Sequence, residues 1–257
     1  MPLETFERSD HLGEIVIDRP PQNLFNGDLL TDLRTAVDDA ARSDARAVLV
    51  RAAGDDFSAG ADVDVFIGID QAQAEELEAT VVGLIGAIES LSVPTIALIH
   101  GQCYAGALEV CLACDLIWAA EGSQIGQIEA VAGGIPYAGG TQRLASRIGA
   151  GRAAELVYTA AILPPETLAS WGAINHVTTA DTLEAEGRAF ARTIANGPTR
   201  AHSTTKRVLQ AWRSGGVAAA DRVTLAEGPA VMVSQDLQSG IASLRRDGPG
   251  HATFGGL

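Results

Sequence analysis

The sequence predicts an α/β protein whose first part alternates strands and helices and whose last part is mostly helical. Short apolar, β-branched runs such as Thr95–Ile99 alternate with segments of helical periodicity up to about residue 128. After a glycine-rich segment at residues 133–140, the remaining apolar patterns have helical spacing. We therefore expect a sheet built early in the chain and helices that follow it.

The elements can be assigned in chain order. Asn26 is a residue typical of helix N-caps and precedes apolar residues at helical spacing, which predicts the first helix. In the first part we predict strands at 15–17, 47–50, 95–99, 116–119 and 123–128, and helices at 29–42, 71–91 and 105–114. In the second part we predict helices at 141–148, 152–160, 165–171, 182–196, 199–213, 217–235 and 241–246.

Composition limits the class of protein. The chain has 257 residues, of which 47% are hydrophobic, enough for one domain with a sizeable core. Its formal charge of -14 disfavours nucleic acid as a partner, because binding phosphates needs clustered basic side chains. The longest apolar region, 103–120, contains Glu109 and Asp115, which argues against a membrane span.

Cysteine usage and the amino terminus point to the cytoplasm. Cys103, Cys111 and Cys114 are an odd number of cysteines in a long chain, which is typical of buried free thiols in a reducing compartment. Cys111 and Cys114 form a C-x-x-C pair, but inside an apolar helical run with no second pair, so packing is favoured over a redox or metal role. The polar start, MPLETFERSD, does not resemble a targeting peptide.

Two glutamates are the strongest candidates for chemistry. On a helix, the residues three and four positions from Glu109 are small or apolar, so its side chain is predicted to point inward. Glu129 is the only charge between Glu121 and Arg143 and lies where a strand gives way to a glycine loop. A buried carboxylate is costly without a partner or a functional reason. The alternative is that Glu109 reaches solvent or pairs with a distant arginine.

Two main-chain amides could complete a site. Gly106 falls in the first turn of the helix that carries Glu109, where amide groups have no intrahelical acceptor and the helix dipole favours negative charge. Ala61 lies in the small-residue loop Phe57–Asp62, from which an amide can reach a ligand. Together the two amides could polarise a carbonyl oxygen. Two ordinary tight turns, far apart in space, are the alternative.

These residues occur in motifs that resemble the crotonase (enoyl-CoA hydratase/isomerase) superfamily. The resemblance covers nearly the whole chain and is carried by the following segments: Arg19-Pro20 to Asn23, Phe57–Asp62, His100-Gly101 through Gly106 to Glu109, Cys114-Asp115, Gln127–Glu129, Ile135-Pro136, Gly139–Leu144, Thr205-Lys206 and Phe254-Gly255. It implies repeated ββα units that form two nearly perpendicular sheets, with C-terminal helices used for trimerisation. We accordingly divide the chain into a core, residues 1–195, and a C-terminal helical region, residues 196–257.

The resemblance also implies an activity. A chain of this kind would be an enoyl-CoA hydratase, a lyase of fatty acid metabolism, with Glu109 and Glu129 as catalytic residues and the amides of Ala61 and Gly106 as an oxyanion hole. The acyl-CoA thioester would be the substrate, with no metal and no other cofactor. Its contacts would come from Leu24, Ala59, Gly60, Asp62, Val63, Tyr104, Pro136 and Tyr137. A homotrimer or a dimer of trimers is implied, without nucleic acid or membrane as a partner.

Three departures from the family pattern concern the acyl pocket. The usual three glycines before the first glutamate are Ala105-Gly106-Ala107 here, the proline usual before the second glutamate is Ile128, and Tyr137 replaces a common glycine. The same site could serve a double-bond isomerase, which needs one glutamate, or another acyl-CoA reaction. A non-catalytic acyl-CoA binder or RNA-binding relative is the remaining alternative, and retention of both glutamates and Gly106 argues against it.

Overall fold

The computed structural model describes residues 6–257 and contains a six-stranded sheet. Its strands are β1 (Phe6–Ser9), β2 (Leu12–Ile17), β3 (Ala47–Ala52), β4 (Thr95–Ile99), β6 (Leu116–Ala120) and β8 (His176–Thr178). They lie in the order β1-β2-β3-β4-β6-β8, with β1 antiparallel to β2 and all the other pairs parallel. A second, two-stranded parallel sheet joins β5 (Gln102–Tyr104) to β7 (Gln124–Gly126).

Helices cover both faces of the large sheet, because alternate strand residues point to opposite sides. On one side Val48, Val50 and Ile99 pack against α1 (Gly27–Arg42), α2 (Gln71–Glu89) and α3 (Gly106–Ala113). On the other side Leu49, Ile96 and Leu98 pack against α7 (Leu183–Ala195). A parallel sheet buried on both faces explains why the strands are almost continuously apolar in sequence.

The remaining helices follow the second sheet. They are α4 (Gly140–Ile148), α5 (Ala150–Thr159), α6 (Pro165–Trp171), α8 (Thr199–Met232) and α9 (Gln235–Asp247), and α8 is broken at Gly215 and Gly216. Buried Lys206 on α8 reaches back to the sheet, with its Nζ atom 2.9 Å from Asp115 Oδ2 and 3.0 Å from the Val93 carbonyl. This ion pair ties the C-terminal helices to the core.

The α/β class, the two sheets and the C-terminal helices agree with the sequence prediction. The prediction missed three short strands, β1, β5 and β8, and it drew β7 too long at both ends. Each missed strand has only three or four residues, too few to show a period of two. The helices predicted at 199–213 and 217–235 correspond to the two parts of α8 on either side of its break, but the second part already ends at Met232. The last helix, predicted at 241–246, is longer and begins at Gln235.

Between residues 6 and 257, no helix is long and apolar enough to cross a membrane. The same residues contain no group of three or more His, Cys, Asp or Glu side chains arranged to hold a metal ion. The three cysteines are buried and free, as expected. Half of the polar amino terminus, residues 1–5, lies outside the described residues, and the boundary at residue 195 stays a prediction.

Candidate active site

The loop that carries Ala61 is held by Asn23. The Asn23 backbone has a φ of 53°, and its side-chain amide donates to the carbonyls of Ala53, Asp56 and Phe57 at 2.9, 3.0 and 3.2 Å. Buried Ser58 continues the support, because its hydroxyl donates to the Asn23 carbonyl at 2.7 Å and accepts from the Gly60 amide at 3.0 Å. The loop is therefore anchored from within, independently of any ligand.

The Ala61 amide takes no part in the backbone hydrogen bonds that join this loop to Phe25. Phe25 donates to the Gly60 carbonyl and accepts from the Asp62 amide, both at 2.9 Å. Because Gly60 and Asp62 both bond on the Phe25 side, the amide of Ala61 between them points to the opposite side, as in a strand. Gly60 also lies directly against the start of α3: a Cβ atom at Gly60 would be 3.0 Å from the Tyr104 carbonyl and 3.2 Å from Ala105 Cβ.

The Gly106 amide opens α3 next to this loop. Gly106 is the first residue of the helix, so its amide has no intrahelical acceptor. The preceding residue, Ala105, has φ 52° and ψ -124°, a conformation that favours glycine. Its amide donates to the Gly126 carbonyl at 2.9 Å, which holds the turn against β7. The structure thus brings the two segments that carry the predicted oxyanion donors into contact.

Glu109 is buried, as the sequence predicts, and its side chain is only 2% exposed. Its Oε1 atom accepts a hydrogen bond from the Gly140 amide at 2.7 Å. Burial raises the pKa of Glu109 to about 6, and the amide hydrogen bonds from Gly140 and Ala138 oppose this rise. No lysine or arginine lies near Glu109 in sequence, but folding brings Arg143 close enough to lower the pKa of Glu109 without a direct ion pair.

Glu129 begins a short 3₁₀ helix, Glu129–Ala132, two residues after the end of β7. The side-chain amide of Gln127, oriented with its nitrogen toward Glu129, donates to both carboxylate oxygens, at 2.7 and 3.1 Å. Burial raises the pKa of Glu129 to about 7, and the charge of Glu109 adds to this rise.

Gly140 and Gln127 connect the two glutamates in space. A Cβ atom at Gly140 would be 3.0 Å from Glu109 Cγ and 3.0 Å from Gln127 Cδ. Since the Gln127 amide in turn contacts Glu129, both carboxyl groups lie around the same point, although they come from different elements. Gln127 is completely buried, so this bridge is shielded from water.

The residues predicted to contact substrate occupy different environments. Tyr104 is buried and its hydroxyl donates to Gln124 Oε1 at 2.6 Å, so this hydroxyl is already engaged in the protein. Tyr137 is 41% exposed and stacks on Phe66, with ring centroids 5.9 Å apart. Of the other predicted residues, Pro136 and Gly60 are buried, Leu24, Ala59 and Asp62 are half-buried, and Val63 is exposed.

Three residues that shape the site, Asn23, Gln127 and Arg143, are not among the predicted site residues. All three fall inside the motifs that carry the family resemblance. The sequence does hold an indication for Gln127. Its side-chain amide, two residues from an isolated glutamate in apolar sequence, can donate a hydrogen bond to that carboxylate. Phe66, which stacks on Tyr137, lies outside these motifs, and the sequence shows only that it is apolar.

The fold and the site define a class of protein: an α/β protein in which free main-chain amides and two raised-pKa carboxyls surround one region. Residues 7–226 match the family model described as enoyl-CoA hydratase/isomerase. The chain belongs to this family, which confirms the resemblance to the crotonase superfamily. The assignment rests on the sequence match and does not depend on the site geometry.

Individual relatives agree with the family. The chain is 32% identical over 190 residues to crotonyl-CoA hydratase of Syntrophomonas wolfei, covering 72% of each chain. It is 33% identical over 195 residues to the Bacillus subtilis protein YngF, which is described as an enoyl-CoA hydratase/isomerase, covering 74% of this chain and 75% of that one. The crystal structure of an enoyl-CoA hydratase from Geobacillus kaustophilus superposes with a TM-score of 0.93 at 25% identity, covering 98% of this chain and 96% of that one.

Proposed function

We propose that this protein is an enoyl-CoA hydratase that adds water across the 2,3 double bond of an enoyl-CoA thioester. The observation that carries the proposal is the pair of carboxyls bridged by Gly140 and Gln127, buried Glu109 and half-buried Glu129, whose pKa values are raised to about 6 and about 7. Two carboxyls with unequal pKa values raised toward neutral suit one base and one acid at the same pH.

The main-chain amides of Ala61 and Gly106 hold the thioester oxygen in this proposal. When water attacks C3, the conjugated thioester gains enolate character and negative charge develops on that oxygen. Amides that are already oriented toward it stabilise this charge without reorganisation, and loss of one such donor typically slows a reaction by ~10² to 10³. The internal anchoring of the Ala61 loop by Asn23 supports such a fixed arrangement.

Glu109 takes the proton from the attacking water, and Glu129 delivers a proton to C2. The pKa order supports this assignment, because near pH 6.5 Glu109 is mostly ionised and Glu129 mostly protonated. The Gly140 amide orients the Glu109 carboxylate, and Gln127 orients Glu129. General acid-base catalysis of this kind contributes roughly 10² to 10⁴ for each group. The reaction as proposed needs no metal and no redox cofactor.

The test is incubation of the purified protein with crotonyl-CoA, followed by mass spectrometry of the thioester. Hydration yields a product heavier by one water molecule, whereas double-bond isomerisation leaves the mass unchanged. Glu109→Gln and Glu129→Gln should each lower the hydration rate by ~10² or more, because each removes one proton-transfer group. A product of unchanged mass, or a Glu109→Gln variant with undiminished turnover, would instead favour a one-base isomerase.

Two further properties belong to the same proposal. We expect a homotrimer or a dimer of trimers, because α8 exposes large apolar side chains that a partner subunit could cover. They include Leu209, Trp212, Val217 and Leu225, which are 48 to 77% exposed. Analytical ultracentrifugation would measure the assembly. The cytoplasmic location expected from the sequence stays a prediction, which fractionation of the source cell would check.

A further inference from the structure

Arg143, on α4, contacts the peptide that leads to the Glu109 hydrogen bond. Its Nη1 atom donates to the carbonyl of Ala138 at 3.1 Å and to the carbonyl of Gly139 at 3.2 Å. The next amide along the chain belongs to Gly140 and donates to Glu109 Oε1 at 2.7 Å. Because the Gly139 carbonyl and the Gly140 amide are parts of one planar peptide group, holding the carbonyl also sets the direction of the amide.

The two consecutive glycines leave room for this arrangement. A Cβ atom at Gly139 would lie 2.1 Å from Arg143 Nη1, and one at Gly140 would lie 3.0 Å from Glu109 Cγ. Gly139 also has a φ of 92°, where any other residue is strained. The first glycine therefore allows the guanidinium to approach the peptide on one side, and the second allows the glutamate to approach it on the other.

The guanidinium is itself oriented by a carboxylate on a different helix. Glu89, the last residue of α2, accepts from Arg143 Nη2 at 2.6 Å and from Arg143 Nε at 3.2 Å. Two parallel hydrogen bonds fix the plane of a guanidinium in a way that a single contact does not. The Glu89 carbonyl accepts from Gln210 Nε2, on α8, at 2.6 Å, so the C-terminal helix supports the same unit.

We propose that Arg143 is a positioning residue for Glu109, which acts by holding the Gly139–Gly140 peptide so that its amide points at the carboxylate. The inference deepens the proposed function and rests on it wherever it concerns turnover. The guanidinium of Arg143 donates its hydrogen bonds to Glu89 and to main-chain carbonyls, so its proposed role does not require contact with the substrate. Its loss should therefore affect the chemical step more than substrate binding.

Several charged groups face Glu109 and together decide how it titrates. Arg143, on α4, lowers the pKa of Glu109, and Glu78, on α2, raises it. Glu129, beyond the Gln127 amide, is coupled to Glu109 by their mutual repulsion. Glu89 faces Arg143 and partly neutralises it. Removing the guanidinium removes both a favourable charge and the anchor of the Gly140 amide, and both losses raise the pKa of Glu109.

The test compares Arg143→Gln and Arg143→Lys with the wild type. Arg152→Gln is a matched control, because Arg152, on α5, lies over the ring of Trp171, on α6, and is not among the groups that affect Glu109. The measurements are kcat and KM for crotonyl-CoA across pH, and the pKa of Glu109 from ¹³C NMR of labelled glutamate carboxyls. The Glu109→Gln variant assigns the Glu109 signal.

For Arg143→Gln we expect kcat to fall on the order of 10²-fold with KM nearly unchanged, as for a misplaced catalytic group. The pKa of Glu109 should rise, and the acid limb of the kcat profile should move to higher pH with it. Arg143→Lys should raise that pKa less than Arg143→Gln does, because it keeps the positive charge, while kcat stays low because an ammonium cannot reproduce the planar set of contacts. Arg152→Gln should match the wild type in every measurement.

The proposal is overturned if Arg143→Gln leaves both kcat and the pKa of Glu109 as they are in Arg152→Gln. If Arg143→Gln does not fold, Glu89→Gln takes its place. It keeps the Arg143 cation but removes the carboxylate that orients it, so kcat should fall, and an unchanged kcat refutes the proposal. A wild-type protein that hydrates no enoyl-CoA would refute the proposed function alone, because the NMR titration of folded Arg143→Gln still tests the positioning role.

Discussion

The activity should depend on pH as a narrow bell, because it needs Glu109 ionised and Glu129 protonated at the same time. With pKa values of about 6 and about 7, the productive combination is most populated near pH 6.5. There it accounts for about three-fifths of the molecules, and two pH units to either side it falls to about 3%. The value of kcat/KM, which reports on the free enzyme, should therefore be about twentyfold lower at pH 4.5 and at pH 8.5 than at pH 6.5.

The measurement is kcat/KM for crotonyl-CoA hydration between pH 4.5 and 8.5 at constant ionic strength. This parameter reports the pKa values of the free enzyme, which is the state that the structure describes. The two glutamates interact, so the fitted values belong to the pair. The variants assign the limbs: the residual activity of Glu109→Gln should lose the rise on the acid side, and that of Glu129→Gln should lose the fall on the alkaline side. A profile that is flat from pH 5 to 8 would refute raised pKa values, and the opposite assignment of limbs would refute the roles.

Three further substitutions have predictable effects on stability. Glu109→Gln should raise the free energy of unfolding by about 2 kcal/mol at pH 8 but by less than about 1 kcal/mol at pH 5. The reason is that a carboxyl with a folded pKa raised from 4.5 to about 6 stabilises the folded state at low pH and loses that contribution as pH rises through this range. Ala105→Gly should stabilise the protein by about 1 kcal/mol, since φ 52° strains alanine but not glycine, and calorimetry should show a melting temperature higher by about 2–4 °C. Lys206→Met should destabilise it by about 3 kcal/mol in urea titration, because Asp115 loses its cation at a mostly buried site.

Each of these effects has an outcome that would contradict its physical basis. A Glu109→Gln variant with the same stability difference at pH 5 and pH 8 would show that the carboxyl does not titrate between them. Destabilisation by Ala105→Gly would mean that the chain entropy of glycine outweighs the backbone strain. A loss below about 1 kcal/mol in Lys206→Met would mean that Asp115 remains adequately solvated or hydrogen-bonded, for instance by Thr95.

A tension between stability and activity follows from the same site. The folded protein keeps Glu109 buried in a position that raises its pKa, and it keeps Ala105 in a strained turn at the start of α3. Both features are unfavourable to folding, and both lie next to the amide and the carboxyl that the proposed reaction uses. Strain stored at functional positions is a general feature of active sites, held in place by the surrounding structure. Here the internal network around Asn23 and the buried ion pair of Lys206 are parts of that structure.

Local patterns along the chain were enough to locate most elements and the direction of one key side chain. The strand Thr95–Ile99 and the helix Pro165–Trp171 have the predicted bounds, because their apolar residues repeat within a few positions. The inward orientation of Glu109 follows in the same way from its helical neighbours. Family motifs supplied the rest of the site residues, and the match of residues 7–226 confirms that they come from the right family.

The partners of these residues depend on how distant segments fold against one another. Gly140 and Glu109 are 31 positions apart, and Arg143 and Glu89 are 54 positions apart, so neither contact leaves a trace in local periodicity. The short strands β5 and β8 exist because a neighbouring strand offers them hydrogen bonds, which the sequence of three residues does not encode. The raised pKa values likewise arise from burial and from neighbouring charges, which are properties of the folded chain.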